Sequence, residues 1–278
     1  MIPDHILDEL LQRAFREDIG SGDLTSQYVV PSTARGEGRL LAKEEGLLAG
    51  LEIAASAFRF LDQGVECDCL LSDGSLLKPG CEVMKVSGPL QSLLTSERTA
   101  LNLLQRLSGI ATLTALWVKE IEGYRAKLAD TRKTTPGLRL PEKYAVRVGG
   151  AVNHRFALDG GILIKDNHIT AAGGIAEAVR AARENAPYTL RIEVEVTCLQ
   201  ELEEALEAKA DIIMLDNMST EHMARAVELT AGQALLEASG NIILERLREV
   251  AATGVDFISC GALTHSSRAL DFSFLLNS

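Results

Sequence analysis

Arg132 and Lys133 stand side by side just after an apolar run at 126–129, with Arg139 close behind, and His154, Arg155 and Lys165 surround a second apolar run at 161–164. Guanidinium forks match the geometry of carboxylates and phosphates, and an ammonium adds a compact point charge. The set therefore suits a small ligand carrying several anionic groups. Glu195 and Asp216 close two later apolar runs, and their oxygens could bind ribose hydroxyls or hold Mg²⁺ against phosphates. Two turns, Ser239-Gly240-Asn241 and the segment opening at Gly261, place glycine before a helical stretch, where backbone N–H groups approach a phosphate and the helix start favours an anion. The alternative is that the basic residues simply pair with Glu195, Asp216 and Asp130 and leave a neutral pocket.

These residues act together only if the fold gathers them. Short buried runs at 126–129, 161–164, 191–196, 211–215, 234–238 and 255–259 alternate with amphipathic helical stretches such as 175–185, 199–209 and 243–253. A repeating strand–helix unit predicts a parallel sheet. No Gly-x-Gly-x-x-Gly fingerprint opens the first unit, so a barrel explains the pattern better than an open doubly wound sheet. Nearly every run leads directly into polar or ionisable residues. In parallel α/β folds those carboxyl ends of strands hold the active site.

The N-terminal part has a different texture. Helical spacing covers 4–17 and stops at Gly20-Ser21-Gly22, and alternating runs with Gly, Pro and Asp turns between 36 and 94 predict an antiparallel sheet with a helix at 51–61. A long helix is expected over 96–123, with Thr95 or Ser96 as its N-cap, linking two domains. A length of 278 residues accommodates either one barrel or two ordinary domains.

Lys and Arg total 28 against 39 Asp and Glu, a net charge of −11, so an acidic surface would repel nucleic acid and anionic membrane. No stretch approaches a spanning length, and the acidic N-terminus is unlike a signal peptide, so a cytoplasmic protein with no nucleic-acid or membrane partner is expected. The five cysteines are odd in number and scattered, which favours packed thiols over disulfides. Cys67 and Cys69 share a strand face but have no His partner nearby. His5, His222 and His265 lack metal-ligand spacing. His154, next to Arg155, is expected to donate a hydrogen bond to an anionic substrate rather than to bind metal.

The segments Asp130-Thr131-Arg132-Lys133-Thr134-Thr135-Pro136-Gly137, Glu142-Lys143-Tyr144, Asn153-His154-Arg155 and Lys165-Asp166-Asn167-His168 resemble those of the quinolinate phosphoribosyltransferases, also called nicotinate-nucleotide pyrophosphorylases. Glu97-Arg98-Thr99, Leu215-Asp216-Asn217, Glu237-Ala238-Ser239-Gly240 and Gly261-Ala262-Leu263-Thr264 extend the resemblance over almost the whole chain in order. The family commonly has a His or a small polar residue before Asn-His-Arg, where this chain has Ala151-Val152. It often has Gly at the place of Asn241.

The resemblance implies a type II phosphoribosyltransferase fold. An N-terminal α/β sandwich would occupy 1–108, an open α/β barrel 109–267, and residues from about 268 to 278 would return to the first domain. The implied reaction joins quinolinate to phosphoribosyl pyrophosphate, with decarboxylation, to give nicotinate mononucleotide, pyrophosphate and CO₂ for NAD synthesis. Arg132, His154, Arg155 and Lys165 would grip the quinolinate carboxylates, with Arg98 reaching in from a neighbouring subunit of a homodimer or a hexamer of dimers. Lys133, Glu195 and Asp216 would face phosphoribosyl pyrophosphate, and Thr131 would be a further substrate-binding residue. Lys165, Glu195 and Asp216 would be catalytic, the two carboxylates holding Mg²⁺ directly or through water. Ser239, Gly240, Asn241 and Gly261 would cradle the 5′-phosphate. Other readings of the residues are a ModD-like relative, an aldolase with Lys165 as Schiff-base nucleophile, and a non-catalytic phosphometabolite sensor.

Overall fold

The computed structural model describes residues 2–277, so the terminal residues of the expected domains, Met1 and Ser278, lie outside the described residues. In chain order the elements are α1 (Asp4–Ile19), α2 (Leu24–Val29), β1 (Arg35–Ala42), β2 (Gly46–Leu47), α3 (Leu51–Leu61), β3 (Glu66–Cys69), β4 (Leu76–Leu77), β5 (Glu82–Pro89) and α4 (Leu90–Glu120). There follow β6 (Lys127–Ala129), α5 (Arg139–Val148), β7 (Ile162–Ile164), α6 (Asp166–Ala172), α7 (Ile175–Asn185), β8 (Ile192–Val196), α8 (Leu199–Glu207) and β9 (Ile212–Asp216). The chain closes with α9 (Thr220–Thr230), β10 (Leu235–Ser239), α10 (Leu244–Ala252), β11 (Phe257–Ser259), α11 (Ala262–His265) and β12 (Phe272–Leu276). Two compact units result. One takes in the chain up to Ala115, Thr134–Gly150 and everything from Thr264; the other comprises Leu116–Lys133 and Ala151–Leu263.

The first unit is built on an antiparallel sheet in the order β12-β1-β5-β3. Alternation along β1 buries Leu40 and Ala42 while Arg39 stays in solvent, the period-two pattern of a sheet with one covered face. Helix α3 packs on β3 and α1, with Phe58 fully buried and its ring 5.6 Å from that of Phe274 on β12. Helix α4 begins at Leu90, directly after β5, and not at the expected cap near residue 95. Thr95 and Ser96 lie inside it, and their hydroxyls donate to the carbonyls of Gln91 at 2.8 Å and Ser92 at 2.7 Å. A hydroxyl can bond one helical turn back as readily as it caps, which made an interior pair resemble a helix start.

The second unit is a six-stranded parallel sheet in the order β6-β11-β10-β9-β8-β7, with helices in the crossovers. The expected runs all become strands, trimmed at their N-terminal ends. Beyond β6 the ladder continues as a single parallel bridge from Ala129 to Val152, where the Val152 N–H donates to the Leu128 carbonyl at 2.9 Å. The barrel is thus open: the position beside β6 is held by one residue, and Asn153-His154-Arg155 leaves the ladder there. Among the described residues no helix is long and apolar enough to cross a membrane.

Candidate active site

Side chains alternate along a strand, so residues two apart share a face. In the second unit one face of each strand is apolar and buried: Val194 and Val196, Ile213 and Leu215, Leu236 and Ala238. The opposite face carries Glu193 and Glu195 on β8, Met214 and Asp216 on β9, and Glu237 and Ser239 on β10. The ladder registers Asp216 against Ser239. The inner face therefore has two layers. A mouth layer at the strand ends includes Glu195, Asp216 and Ser239, with Lys165 just past β7 and Met214 in register with Glu195; a floor layer two residues earlier on β8 and β10 consists of Glu193 and Glu237.

The mouth opens into a cavity of about 610 Å³. It gathers Thr131, Arg132 and Lys133 from the β6 loop, His154 and Arg155 from the open seam, Lys165, the carboxylates Glu195 and Asp216, and the turn Ser239-Gly240-Asn241. Gly261 is half-buried just before α11, and Arg98 is an exposed residue of α4. Neither is among the lining residues of this cavity.

Local structure explains several placements. Thr131 Oγ1 accepts from the Lys133 N–H at 3.0 Å, folding the loop that bears Arg132 and Lys133. Lys165 is ion-paired with Glu195 across β7 and β8. The Lys165 N–H donates to His168 Nδ1 at 3.0 Å, fixing the start of α6. Gly240 has φ +84°, and a Cβ there would run into the Asn217 amide, so both conformation and space require glycine. Asn241 Nδ2 donates to Asn217 Oδ1 at 2.8 Å. Asn217 thereby joins the two turns, a role that sequence reasoning missed.

The floor layer was missed as well. Asp130, fully buried, accepts from Asn153 Nδ2 at 2.6 Å and from the His154 N–H at 2.9 Å. His154 Nε2 lies 3.1 Å from Glu193 Oε2 and 3.7 Å from Glu237 Oε2, and both carboxylates are buried. Burial, and then the negative charge of Glu193, pushes the Glu237 carboxyl up to about 7. Burial, and then the neighbouring Arg132, pushes Arg155 below the usual guanidinium range. The strand parity that marked Glu195 and Ser239 also marks Glu193 and Glu237 two residues earlier, and that was the available signal.

Donor atoms of His154, Glu193 and Glu237 lie within 4.8 Å of one another, compact enough for a metal ion. His154 Nδ1, however, accepts the Arg155 N–H at 2.8 Å. An imidazole whose Nδ1 lone pair is engaged carries its proton on Nε2, the atom a metal would need. The hydrogen bonding thus places a proton between ring and carboxylates.

A parallel α/β barrel with clustered Arg, Lys and carboxylate groups at its strand ends defines an enzyme class that handles polyanionic small molecules. Comparison with known proteins narrows it. The family models described as "Quinolinate phosphoribosyl transferase, N-terminal domain" and "C-terminal domain" match residues 23–108 and 110–275. The chain is 49% identical over 271 residues to the probable nicotinate-nucleotide pyrophosphorylase [carboxylating] of Synechocystis sp., covering 96% of this chain and 92% of that protein. It is 47% identical over 267 residues to the Bacillus subtilis protein of the same name, with the same coverages of 96% and 92%. The crystal structure of NadC from Streptococcus pyogenes superimposes with a TM-score of 0.96 at 44% identity, covering 100% of this chain and 98% of that one. The chain belongs to the quinolinate phosphoribosyltransferase family.

Proposed function

We propose that the strand-end cavity joins quinolinate to phosphoribosyl pyrophosphate and releases pyrophosphate and CO₂, leaving nicotinate mononucleotide for NAD synthesis. The observation that carries this reading is the meeting of Arg132, Arg155 and Lys165 with Glu195, Asp216 and the Ser239-Gly240-Asn241 turn in one cavity. Quinolinate brings two adjacent carboxylates, which need several cations in a site partly shielded from water. Arg132, Arg155 and Lys165 supply them, with His154 completing that wall and Arg98 of a second copy adding a further cation. Thr131 and Lys133 face the pyrophosphate, and Ser239, Gly240, Asn241 and Gly261 take the 5′-phosphate.

In the reaction the ring nitrogen lone pair forms the bond to the anomeric carbon, and the bond to pyrophosphate breaks with its electron pair. The resulting pyridinium accepts charge at the carbon next to nitrogen, so the 2-carboxylate departs as CO₂ and a proton replaces it. No covalent enzyme intermediate is required; Lys165 and the guanidinium groups bind and orient the ring, and positioning supplies much of the rate. Glu195 and Asp216 fix the ribose. These two carboxylates, on neighbouring strands and facing one cavity, fit a hard divalent cation such as Mg²⁺, which keeps several waters and binds through one or two carboxylates plus phosphates. When bound, that ion neutralises charge on the pyrophosphate leaving group. The cytoplasm is the compartment we propose for this reaction.

Lys165 is ion-paired with Glu195, whereas an iminium-forming lysine needs an unpaired amine in apolar surroundings. The test is to incubate the purified protein with quinolinate, phosphoribosyl pyrophosphate and Mg²⁺. Substrate-dependent release of pyrophosphate and CO₂ is expected, and folded protein that releases neither overturns the proposal. Mixed Arg98→Ala and Lys165→Ala proteins should recover activity if a second copy completes the site.

A further inference from the structure

The floor layer poses a question that the mouth chemistry leaves open. Glu193 and Glu237 are only 5% and 4% exposed, and the Glu193 Oε1 atom is buried without a hydrogen-bond partner. Burying carboxylates is costly, so folding alone does not call for acids at these two positions. What the two carboxylates share is His154 Nε2, at 3.1 and 3.7 Å.

The contacts form a directional chain. Nε2–H points at the carboxylates, which frees the Nδ1 lone pair to accept the Arg155 backbone N–H at 2.8 Å. From that backbone the Arg155 guanidinium enters the cavity, with Nη1 donating to the Gly161 carbonyl at 2.7 Å and Nε buried without a protein acceptor. Asp130 holds the same turn from the other side through the His154 N–H and Asn153. His154, Arg155 and Glu237 also line a second cavity of about 320 Å³, so the turn stands between two spaces.

We propose that Glu193 and Glu237 are positioning residues for the dicarboxylate subsite: they lock the His154 ring as the Nε2–H tautomer and, through its Nδ1, set the backbone that presents the Arg155 guanidinium. This rests on reading the strand-end cavity as the quinolinate site. Both act through His154.

The experiment combines steady-state kinetics of Glu193→Gln and Glu237→Gln with ¹⁵N NMR of the His154 ring in the wild-type protein. The wild type should show a protonated Nε2 and a hydrogen-bonded, unprotonated Nδ1 at neutral pH. Each variant should raise KM for quinolinate about tenfold while KM for phosphoribosyl pyrophosphate stays within about twofold, the pattern of a lost orienting contact. Glu193→Asp should recover part of the quinolinate KM. A ring protonated on Nδ1 overturns the proposal even if the variants fail to fold, and so do variants that shift both KM values equally or neither. A wild type that turns over quinolinate while the variants behave normally sinks the positioning role alone, whereas an inactive wild type sinks the reading of the site and this role with it.

Discussion

The two larger sheets each carry a cross-strand ion pair with a glutamate, and the two pairs have different consequences. In the antiparallel sheet Arg39 on β1 meets Glu82 on β5 at 2.8 Å, on the solvent face. In the parallel sheet Lys165 beyond β7 meets Glu195 on β8, inside a cavity that also holds Arg132, Arg155 and Asp216. The first pair stands on the polar side of a normal alternation, where water screens it and stability gains little. The second stands where the barrel interior should be apolar. A charge pair in a strand therefore means little until its face is known; the same residue types serve solubility on one sheet and ligand binding on the other.

Substitutions should separate the two sheets. Lys165→Ala should have the largest effect, lowering turnover of quinolinate by about 10²–10³-fold with little change in thermal stability, as expected for a positioned charge in a shielded site. Turnover within tenfold of wild type would break the contrast. Gly240→Ala comes next: the +84° φ and the contact with Asn217 predict about 1–3 kcal/mol of lost stability by denaturant unfolding, with weaker binding of phosphoribosyl pyrophosphate. A neutral result would mean the turn relaxes freely.

A smaller effect concerns Glu237. Its folded-state carboxyl is raised from near 4.5 to about 7, so between those values the folded protein binds the extra proton. Stability from this group is therefore fully present below the lower value and is lost as pH rises through the upper one. Glu237→Gln should flatten the decline in unfolding free energy across that window, and an unchanged pH profile would show that the group is not buried as a neutral acid. Arg39→Ala should have the smallest effect, within about 0.5 kcal/mol and without a change in turnover.

The mouth layer was legible in the sequence because each of its residues follows an apolar run, a one-dimensional signal for a strand end. Arg132, Lys165, Glu195, Asp216 and Ser239 all converge as that pattern predicts. The floor was not legible in the same way. Glu193 and Glu237 sit inside runs that read as buried strand, and only strand parity puts them on the same face as the strand-end carboxylates. Asp130 and Asn217 act through hydrogen bonds to segments distant in sequence, which spacing does not encode. Helix α4 shows the reverse error: Thr95 and Ser96 have the chemistry of a cap but spend it on carbonyls one turn back. Helices α5, α6 and α9 were not anticipated, and in α6 the polar run Lys165-Asp166-Asn167-His168 masked a helix start made by the His168 ring.

The most direct test of the central claim follows the carbon. Quinolinate labelled in its 2-carboxylate should give labelled CO₂ from the wild-type protein only when phosphoribosyl pyrophosphate is present, in a one-to-one ratio with pyrophosphate, and Lys165→Ala should lower both signals together and to the same extent. Pyrophosphate released without labelled CO₂, or labelled CO₂ released without phosphoribosyl pyrophosphate, would contradict the assignment of this cavity.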